Sequence, residues 1–594
     1  MVMINIAINS RKITVPSGIT VLQAARQEGI DIPTLCDHPA LSAVGACRMC
    51  VVEIKGQRTL QTACTFPVTD GMEIETESAE VVKARAMVLK MLFSERNHFC
   101  PFCEMSGSCE LQDMGYRFGI DHWAFPTYTK NYPVDATHKY YLMDHNRCIL
   151  CGRCIRSCAE LVANHTLGLG QRGNESMISA DANQPLSDST CISCGTCVQF
   201  CPTGALFYKR SAYMGRDALM TKVKSTCSHC SIGCGIEIIT RGGNVLQIKG
   251  DWECPVNRGL LCKAGRFDPL YDGRERIAEP FLRSKDGEEK ISWGKALQAL
   301  AKHITKAGPD KVGVIVANRA SNEALYLIKG LFIDELRISN VKMIHAPAPK
   351  IEGKQHGTFS QIAGSDTLLL VGSDPLANQP VAAFMIKRAV DKGACLIVVD
   401  DENNALSPFA HVNLKTSNIG QAIEMLSGAQ TPVVVYSPDI PRETAEALKG
   451  INSRATFMAI ETGVNTCAAR ALGINKGFKP EEIELLLVLQ GDGKCGGGEL
   501  LKDIRGKKFV AVLSGYASEL TDKADLVMPN AIWCERTGTL TNTEGRIQAL
   551  QSAVEPAGGA KSDWEVLQML AEKLGKKITA SADDVANTLA TAVK

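Results

Sequence analysis

The chain has 594 residues, the length of about four ordinary domains. Lys+Arg 65 against Asp+Glu 64 leaves a net charge of +1, which argues against a nucleic-acid binder relying on a basic surface and against an acidic disordered tail. No apolar run approaches the roughly 18 residues of a membrane-spanning helix. The start, MVMINIAINSRKITV, lacks the apolar core of a secretory signal and any twin-arginine pair, so a cytoplasmic protein with no direct membrane span is expected. Cysteine is the outlier at 24: twenty lie in residues 1–262 and four in the remaining 332. In a long chain without a secretory signal, clustered thiols read as metal ligands rather than disulfides.

In chain order, INIAINSRKITV (4–15) alternates as two short strands around Asn9-Ser10. A helix is predicted over 20–28, stopped by Gly29. A cysteine-bearing loop and the strand-like runs CVVEI, TLQTAC and MEIETE complete what looks like a β-grasp ferredoxin. Residues 79–96 carry apolar residues at helical spacing, and cysteine-rich loops with little regular structure are expected from there to about 275. Beyond 290, β-rich runs at 312–317, 367–373, 395–400, 432–436, 484–490, 509–514 and 525–529 alternate with helical patterns, which implies an α/β region with a mostly parallel sheet. The expected fold class is therefore multidomain, α+β at the front and α/β at the back.

The cysteines fall into spaced sets. Cys36, Cys47, Cys50 and Cys64 are spaced C-x10-C-x2-C-x13-C, a variant of the plant-type [2Fe–2S] pattern, with a four-thiolate zinc site as the alternative. His98, Cys100, Cys103 and Cys109 form H-x-C-x2-C-x5-C. Three thiols cannot complete a cubane, and His98 is the nearest fourth ligand, as imidazole is in Rieske centres. Cys148, Cys151, Cys154, Cys158 and Cys191, Cys194, Cys197, Cys201 repeat C-x2-C-x2-C-x3-C, the two-cluster ferredoxin run. In that run the fourth Cys serves the other cluster, which pairs Cys201 with the first trio and Cys158 with the second. Cys227, Cys230, Cys234 and Cys262 suit a further [4Fe–4S] cluster. Cys254, Cys395, Cys467, Cys495 and Cys534 are left as packing residues. Nineteen cysteines and His98 thus supply one [2Fe–2S] and four [4Fe–4S] clusters, and no Ser/His/Asp catalytic arrangement is legible.

Two glycine-rich stretches are set aside. GLGQRG (168–173) matches the dinucleotide fingerprint but has no strand before it and no amphipathic helix after it. GDGKCGGG (491–498) follows a strand but lacks a lysine–hydroxyl ending, and reads as a loose connection.

This order of sites resembles the large iron–sulfur subunit of respiratory complex I and its soluble relatives, the NAD-linked hydrogenases and NAD-dependent formate dehydrogenases. CSHCSIGCG, CPVNRGLLCKAGRF, ERIAEPFLR, ISWGKAL, LVGSDP and GTLTNTEGRIQ resemble the molybdopterin oxidoreductases. The H-x-C spacing and the complete second cluster run are more similar to the soluble hydrogenase-linked members. The resemblance implies a [2Fe–2S] ferredoxin over 1–78, a His/Cys [4Fe–4S] segment over 79–135 and a two-cluster ferredoxin over 136–215. It further implies a molybdopterin-type [4Fe–4S] segment over 220–276 and a truncated molybdopterin-oxidoreductase-like α/β region over 277–594. The implied function is electron relay between a flavin- and NAD-binding partner, with its small [2Fe–2S] subunit, and a terminal module such as a nickel–iron hydrogenase, with ferredoxin as a further exchange partner. The alternatives are the catalytic subunit of a formate dehydrogenase, the electron-input subunit of membrane complex I, or a scaffold with structural clusters.

The same resemblance argues against a pterin and Mo or W. Active members carry Cys or selenocysteine just before a His-Gly-Pro-like triplet, where MIHAP (343–347) has Ile344, although a Ser or Asp ligand stays open. Their Lys two residues after the last cluster cysteine is here Ala264, with Lys263 one residue early, and the C-terminal pterin-dinucleotide domain is not seen.

Overall fold

A computed structural model describes residues 2–122, 125–126, 131–284, 287–451, 454–474, 478–494 and 497–593. The chain forms two compact units, Met1–Met220 and Thr221–Lys594.

The first unit opens with the expected hairpin, β1 (Met3–Ile8) and β2 (Arg11–Pro16). Asn9 and Ser10 both take positive φ, 52° and 64°, as the tight turn between right-twisted strands requires. Helix α1 (Val21–Gln27) starts on a capping box between Thr20 and Gln23. Its end is released by Gly29 at φ +70°, a left-handed position that costs glycine little. Strands β3 (Val51–Ile54), β4 (Gln61–Thr62) and β5 (Glu73–Glu75) complete a sheet of order β2-β1-β5-β3-β4 with β1 and β5 parallel, the β-grasp arrangement. Alternate residues Ile4, Ile6 and Ile8 face Val21, Leu22 and Ala25 of α1 in one apolar core.

Helix α2 (Ala79–Glu95), capped by Ser78, leads to α3 (Glu110–Arg117). The segment beyond is more regular than its sequence suggested. Strands β6 (Val134–Asp135) and β7 (Tyr141–Asp144), the short helix α4 (Arg153–Arg156), the hairpin β8 (Leu167–Gly170) and β9 (Met177–Ala180), helix α5 (Thr196–Phe200) and strand β10 (Leu206–Tyr208) frame the cysteine loops. Strands of two to four residues leave too little alternation to be read from sequence. GLGQRG lies on β8 and its turn, so a strand does run into it, but it is an antiparallel hairpin rather than a strand–helix crossover. Only a single 3-10 turn, Gly173–Glu175, follows it, too short to offer a pyrophosphate the aligned N–H groups of an α-helix N-terminus.

In the second unit, β11 (Thr221–Thr226), β12 (Gly235–Arg241) and β13 (Asn244–Gly250) form an antiparallel sheet followed by α6 (Lys263–Arg266). The α/β region holds two sheets, not one. A hairpin of β14 (Phe281–Ser284) and β15 (Gly287–Lys290) precedes α7 (Trp293–Ala307), β16 (Val312–Val316), α8 (Asn322–Ile328) and β17 (Val341–Met343). Six strands follow: β18 (Gln355–His356), β19 (Thr367–Val371), β20 (Cys395–Val399), β21 (Val412–Leu414), β22 (Pro432–Tyr436) and β23 (Thr456–Ala459). They pair in an all-parallel sheet, β18-β23-β22-β19-β20-β21. The chain then returns to the first sheet through β24 (Leu485–Gly491), β25 (Phe509–Ser514) and β26 (Leu526–Pro529), giving β15-β14-β26-β25-β24-β16-β17. Central strands such as LLLVLQG and FVAVLS are buried on both faces by helices, which is why they read as continuous apolar runs. A last hairpin joins β27 (Gly538–Thr541) and β28 (Ile547–Leu550).

The connection after β24 is tied rather than loose: Asp492 is buried, accepts a hydrogen bond from the Trp533 backbone N–H, and Arg274 donates to the carbonyls of Asp492 and Gly493. Cys495 and Gly496 of that stretch lie outside the described residues.

Candidate metal centres

The first cysteine set sits where the loop after α1 meets the start of β3 and the end of β4. Cys36, Cys47, Cys50 and Cys64 are all buried. The backbone N–H of Cys36 donates to Cys47 Sγ at 3.3 Å and that of Cys47 to Cys36 Sγ at 3.4 Å. Gly45 and Arg48 take positive φ, 64° and 61°, on either side of Cys47. The sulfurs form two neighbouring pairs. The Cys47 thiol pulls Cys36 down to about 6, and Cys50 lowers Cys64. Their partners Cys47 and Cys50 are raised by the same contacts and by burial.

His98, Cys100, Cys103 and Cys109 line one cavity, together with Phe93, Arg147 and Gly204. His98 is 8% exposed, lies edge-on to Phe93 at 5.9 Å, and its Nε2 has no hydrogen-bond partner. Burial, aided by the charges of Arg147 and Arg96, pushes its pKa down to about 4. The imidazole is thus neutral with an uncommitted nitrogen, the state a metal ligand needs. A Cβ on Gly204 would lie 2.6 Å from Cys103 Sγ, so only glycine leaves room for that thiol.

Cys148, Cys151, Cys154 and Cys201 line a second cavity, together with Ile149, Ile178 and Leu206. Burial pushes Cys148 up to about 11 and raises Cys151, Cys154 and Cys201. The other trio, Cys191, Cys194 and Cys197, gathers with Cys158: burial raises Cys197 first, followed by the charges of these three sulfurs. The two runs share backbone geometry. Leu150 and Gly152 (φ 51° and 69°) in one match Ser193 and Gly195 (φ 57° and 70°) in the other. In each the second residue after the first cysteine donates its N–H to that sulfur, Leu150 to Cys148 at 3.3 Å and Ser193 to Cys191 at 3.4 Å. The Tyr141 hydroxyl reaches Cys191 Sγ at 3.1 Å.

In the second unit Cys227 and Cys234 stand at the facing ends of β11 and β12, the Cys227 N–H bonded to the Cys234 carbonyl at 2.8 Å. Cys262 caps α6, accepting from the Gly265 N–H at 3.4 Å. Burial raises all four thiols, with Cys262 also acting on Cys230 and Cys234. Cys254 packs against Gly235 beside Cys234. Cys467 and Cys534 are buried and Cys395 half-buried, far along the α/β region. Ile344 packs into the apolar layer of the seven-stranded sheet, and Lys263 pairs with Asp268 at 3.1 Å.

The structure adds groups that were not singled out in the sequence. Arg96, Arg153 and Arg156 are buried among the cysteine loops of the first unit, with Tyr141. Arg153 and Arg156 stand inside the first cluster run, where charged residues beside buried ligands were the available signal.

The chain matches families end to end. The 2Fe-2S iron-sulfur cluster binding domain matches residues 2–79, the NADH-ubiquinone oxidoreductase-G iron-sulfur binding region 85–123, and the NADH-quinone oxidoreductase subunit 3 ferredoxin-like domain 140–207. The molybdopterin oxidoreductase Fe4S4 domain matches 220–269, and molybdopterin oxidoreductase 276–447 and 469–573. The mitochondrial NADH-ubiquinone oxidoreductase 78 kDa subunit of Candida albicans is 27% identical over 97% of this chain and 83% of its own length. The NADPH-Fe(3+) oxidoreductase subunit alpha of Geobacter sulfurreducens is 26% identical over 96% of this chain and 81% of its own. A chain in the crystal structure of an NAD+-reducing [NiFe]-hydrogenase in the H2-reduced state is 37% identical, covering 36% of this chain and 90% of that one, with a TM-score of 0.34. Ferredoxin-like, His/Cys and molybdopterin-type segments in this order, and likeness along nearly the whole chain, make the large iron–sulfur subunits of NADH-quinone oxidoreductases homologues of this chain.

Proposed function

We propose that the chain is the iron–sulfur electron-relay subunit of a multi-subunit NAD(P)-linked oxidoreductase, with nineteen cysteines and His98 holding one [2Fe–2S] and four [4Fe–4S] clusters. Such clusters, when bound, take up and release single electrons. The ligand sets are Cys36, Cys47, Cys50, Cys64; then His98, Cys100, Cys103, Cys109; Cys148, Cys151, Cys154, Cys201; Cys158, Cys191, Cys194, Cys197; and Cys227, Cys230, Cys234, Cys262. The observation that carries the reading is one shared apolar core. Cys36 and Cys47, Cys109, and Cys151 belong to three different sets yet pack together with Leu35, Met49, Leu89, Leu111 and Ile149. A dry, rigid wall common to neighbouring carriers is what a relay needs and what isolated structural metal sites do not. The domain limits carried by this reading are 1–78, 79–135, 136–215, 220–276 and 277–594.

The names of the relatives, subunits of NADH-ubiquinone and NADPH-Fe(3+) oxidoreductases, support partner subunits that act on NAD(P)H, for which we infer a bound flavin. The H-x-C spacing favours a small [2Fe–2S] partner and a hydrogenase-type terminal module. No disulfide joins the described cysteines, and no helix among the described residues is long and apolar enough to cross a membrane. Ile344, packed where active molybdopterin enzymes carry a metal ligand, supports a pterin-free back region.

Iron analysis of anaerobically prepared protein tests the reading. About 18 iron atoms per chain are expected from this cluster set, and no more than about half of that in fully loaded material would refute it. Reduction by NAD(P)H in the assembled complex should evoke cluster paramagnetic resonance signals. Clusters silent while flavin is reduced favour a scaffold, and stoichiometric Mo or W with extractable pterin favours a formate dehydrogenase.

A further inference from the structure

Three charged side chains leave one face of the segment that carries Cys154 and Cys158, and all three grip other cysteine loops. Arg156 is 8% exposed and donates through Nη1 to the Ser42 carbonyl at 2.5 Å. Its Nη2 donates to the carbonyls of Cys36 at 2.5 Å and Cys151 at 3.2 Å. Arg153, 4% exposed, donates to the Asp37 carbonyl at 2.8 Å and holds both oxygens of Glu110, the neighbour of Cys109, at 2.6 and 2.9 Å. Glu160, one turn further on, accepts from the Ser42 N–H at 2.8 Å and from its hydroxyl at 2.5 Å. Offsets of three and four residues put the three on one helical face.

Burying a guanidinium is costly unless its donors are matched. Here both Nη groups are matched, by the Ser42 carbonyl and by those of two proposed ligand cysteines more than a hundred residues apart in sequence, Cys36 and Cys151, while Nε is buried without a partner. A flexible ammonium has no planar fork with which to span three carbonyls at once. The loop of Cys36 is thereby pinned to the loop of Cys151 by one guanidinium.

Resting on the five-cluster reading, we propose that Arg156 is a positioning residue for the relay. Its guanidinium holds the first ligand loop at a set distance from the loop of Cys148, Cys151 and Cys154, and its fixed positive charge raises the reduction potentials at both sites. A nearby cation favours the more negative, reduced state of whatever those thiolates hold.

The test uses the full chain in its assembled complex, with Arg156→Gln and Arg156→Lys. Potentiometric titration followed by paramagnetic resonance reads the [2Fe–2S] and neighbouring [4Fe–4S] signals separately. Microwave power saturation reads the magnetic interaction between them. R156Q should shift both potentials to more negative values, weaken the interaction and leave the signal of the His98 site where it was. R156K should keep the potentials closer to the wild type while still weakening the interaction, because charge remains but the three-carbonyl span is lost. Full iron with unchanged potentials and saturation in R156Q overturns the proposal. Should R156Q lose iron, R156K decides: saturation equal to the wild type overturns the positioning role, and weaker coupling supports it. Absence of a [2Fe–2S] signal in the wild type would instead count against the five-cluster reading itself.

Discussion

Tyr141→Phe removes a hydroxyl that contacts Cys191. Tyr141 is 1% exposed at the start of β7, its ring against that of His138 at 3.8 Å, and its hydroxyl 3.1 Å from Cys191 Sγ. Burial and the nearby thiols push its pKa well above the usual phenol value, so the hydroxyl keeps its proton, and toward a cluster-bound thiolate, which has none, it can only donate. A donor aimed at a cluster sulfur stabilises the reduced state more than the oxidised one and raises the potential. A net hydrogen bond contributes about 1 kcal/mol. With tenfold in equilibrium taken as about 1.4 kcal/mol and 59 mV for one electron, that is about 40 mV. Phe fills the same space and leaves no orphaned donor, while Cys191 keeps the Ser193 N–H at 3.4 Å. Y141F should therefore lower the potential of the cluster on Cys158, Cys191, Cys194 and Cys197 by about 40 mV and leave its twin unmoved. Titration of the two signals is the assay. A rise in potential, an equal shift of the twin, or a change below about 10 mV refutes the reasoning.

The crossed pairing predicts that Cys201→Ser damages the cluster of Cys148, Cys151 and Cys154, and Cys158→Ser that of Cys191, Cys194 and Cys197; the reverse pattern in Mössbauer and resonance spectra would refute it. His98→Ala should cost one cluster's iron, while His98→Cys should retain the iron at a lower potential, since thiolate adds negative charge; equal potentials would show that His98 is not a ligand. Gly204→Ala puts a methyl 2.6 Å from Cys103 Sγ and should destabilise the fold by about 1–3 kcal/mol with partial loss of that cluster, read by urea unfolding and iron analysis. Burial lowers His38, His138 and His229 to about 4 from an ordinary value near 6.5. For a depressed histidine the unfolded chain takes the proton first, so stability is full above about pH 6.5 and is lost as pH falls toward 4. Unfolding midpoints should drop between pH 7 and 5 and drop less in His138→Gln; parallel pH curves for the two proteins would contradict this.

Much of the layout is local chemistry, and local chemistry is legible. Asn9-Ser10 at a hairpin turn, Thr20 and Gln23 at a capping box, and the continuous apolar runs of β16, β19, β20, β22, β24 and β25 announce their elements because each depends on neighbours within a few residues. Cysteine spacing is equally local, since cluster geometry limits the arc between successive thiolates. The short strands β6 to β10 escaped because two to four residues carry no period, and the split into two sheets escaped because apolar runs do not name their neighbours.

The sequence by itself determined the cysteine spacing on which the proposed ligand sets rest, with one thiol too few beside His98, and the order of the segments that carry it. Tertiary structure decided what surrounds those ligands. Nothing in the spacing says that Arg156 joins Cys36 to Cys151, that Tyr141 meets Cys191, that Gly204 clears Cys103, or that the ring nitrogen of His98 is left without a partner. The physical reason is range: a thiolate's identity lies in its own residue, whereas burial, charge and hydrogen bonding at the sulfur come from groups that only folding brings near.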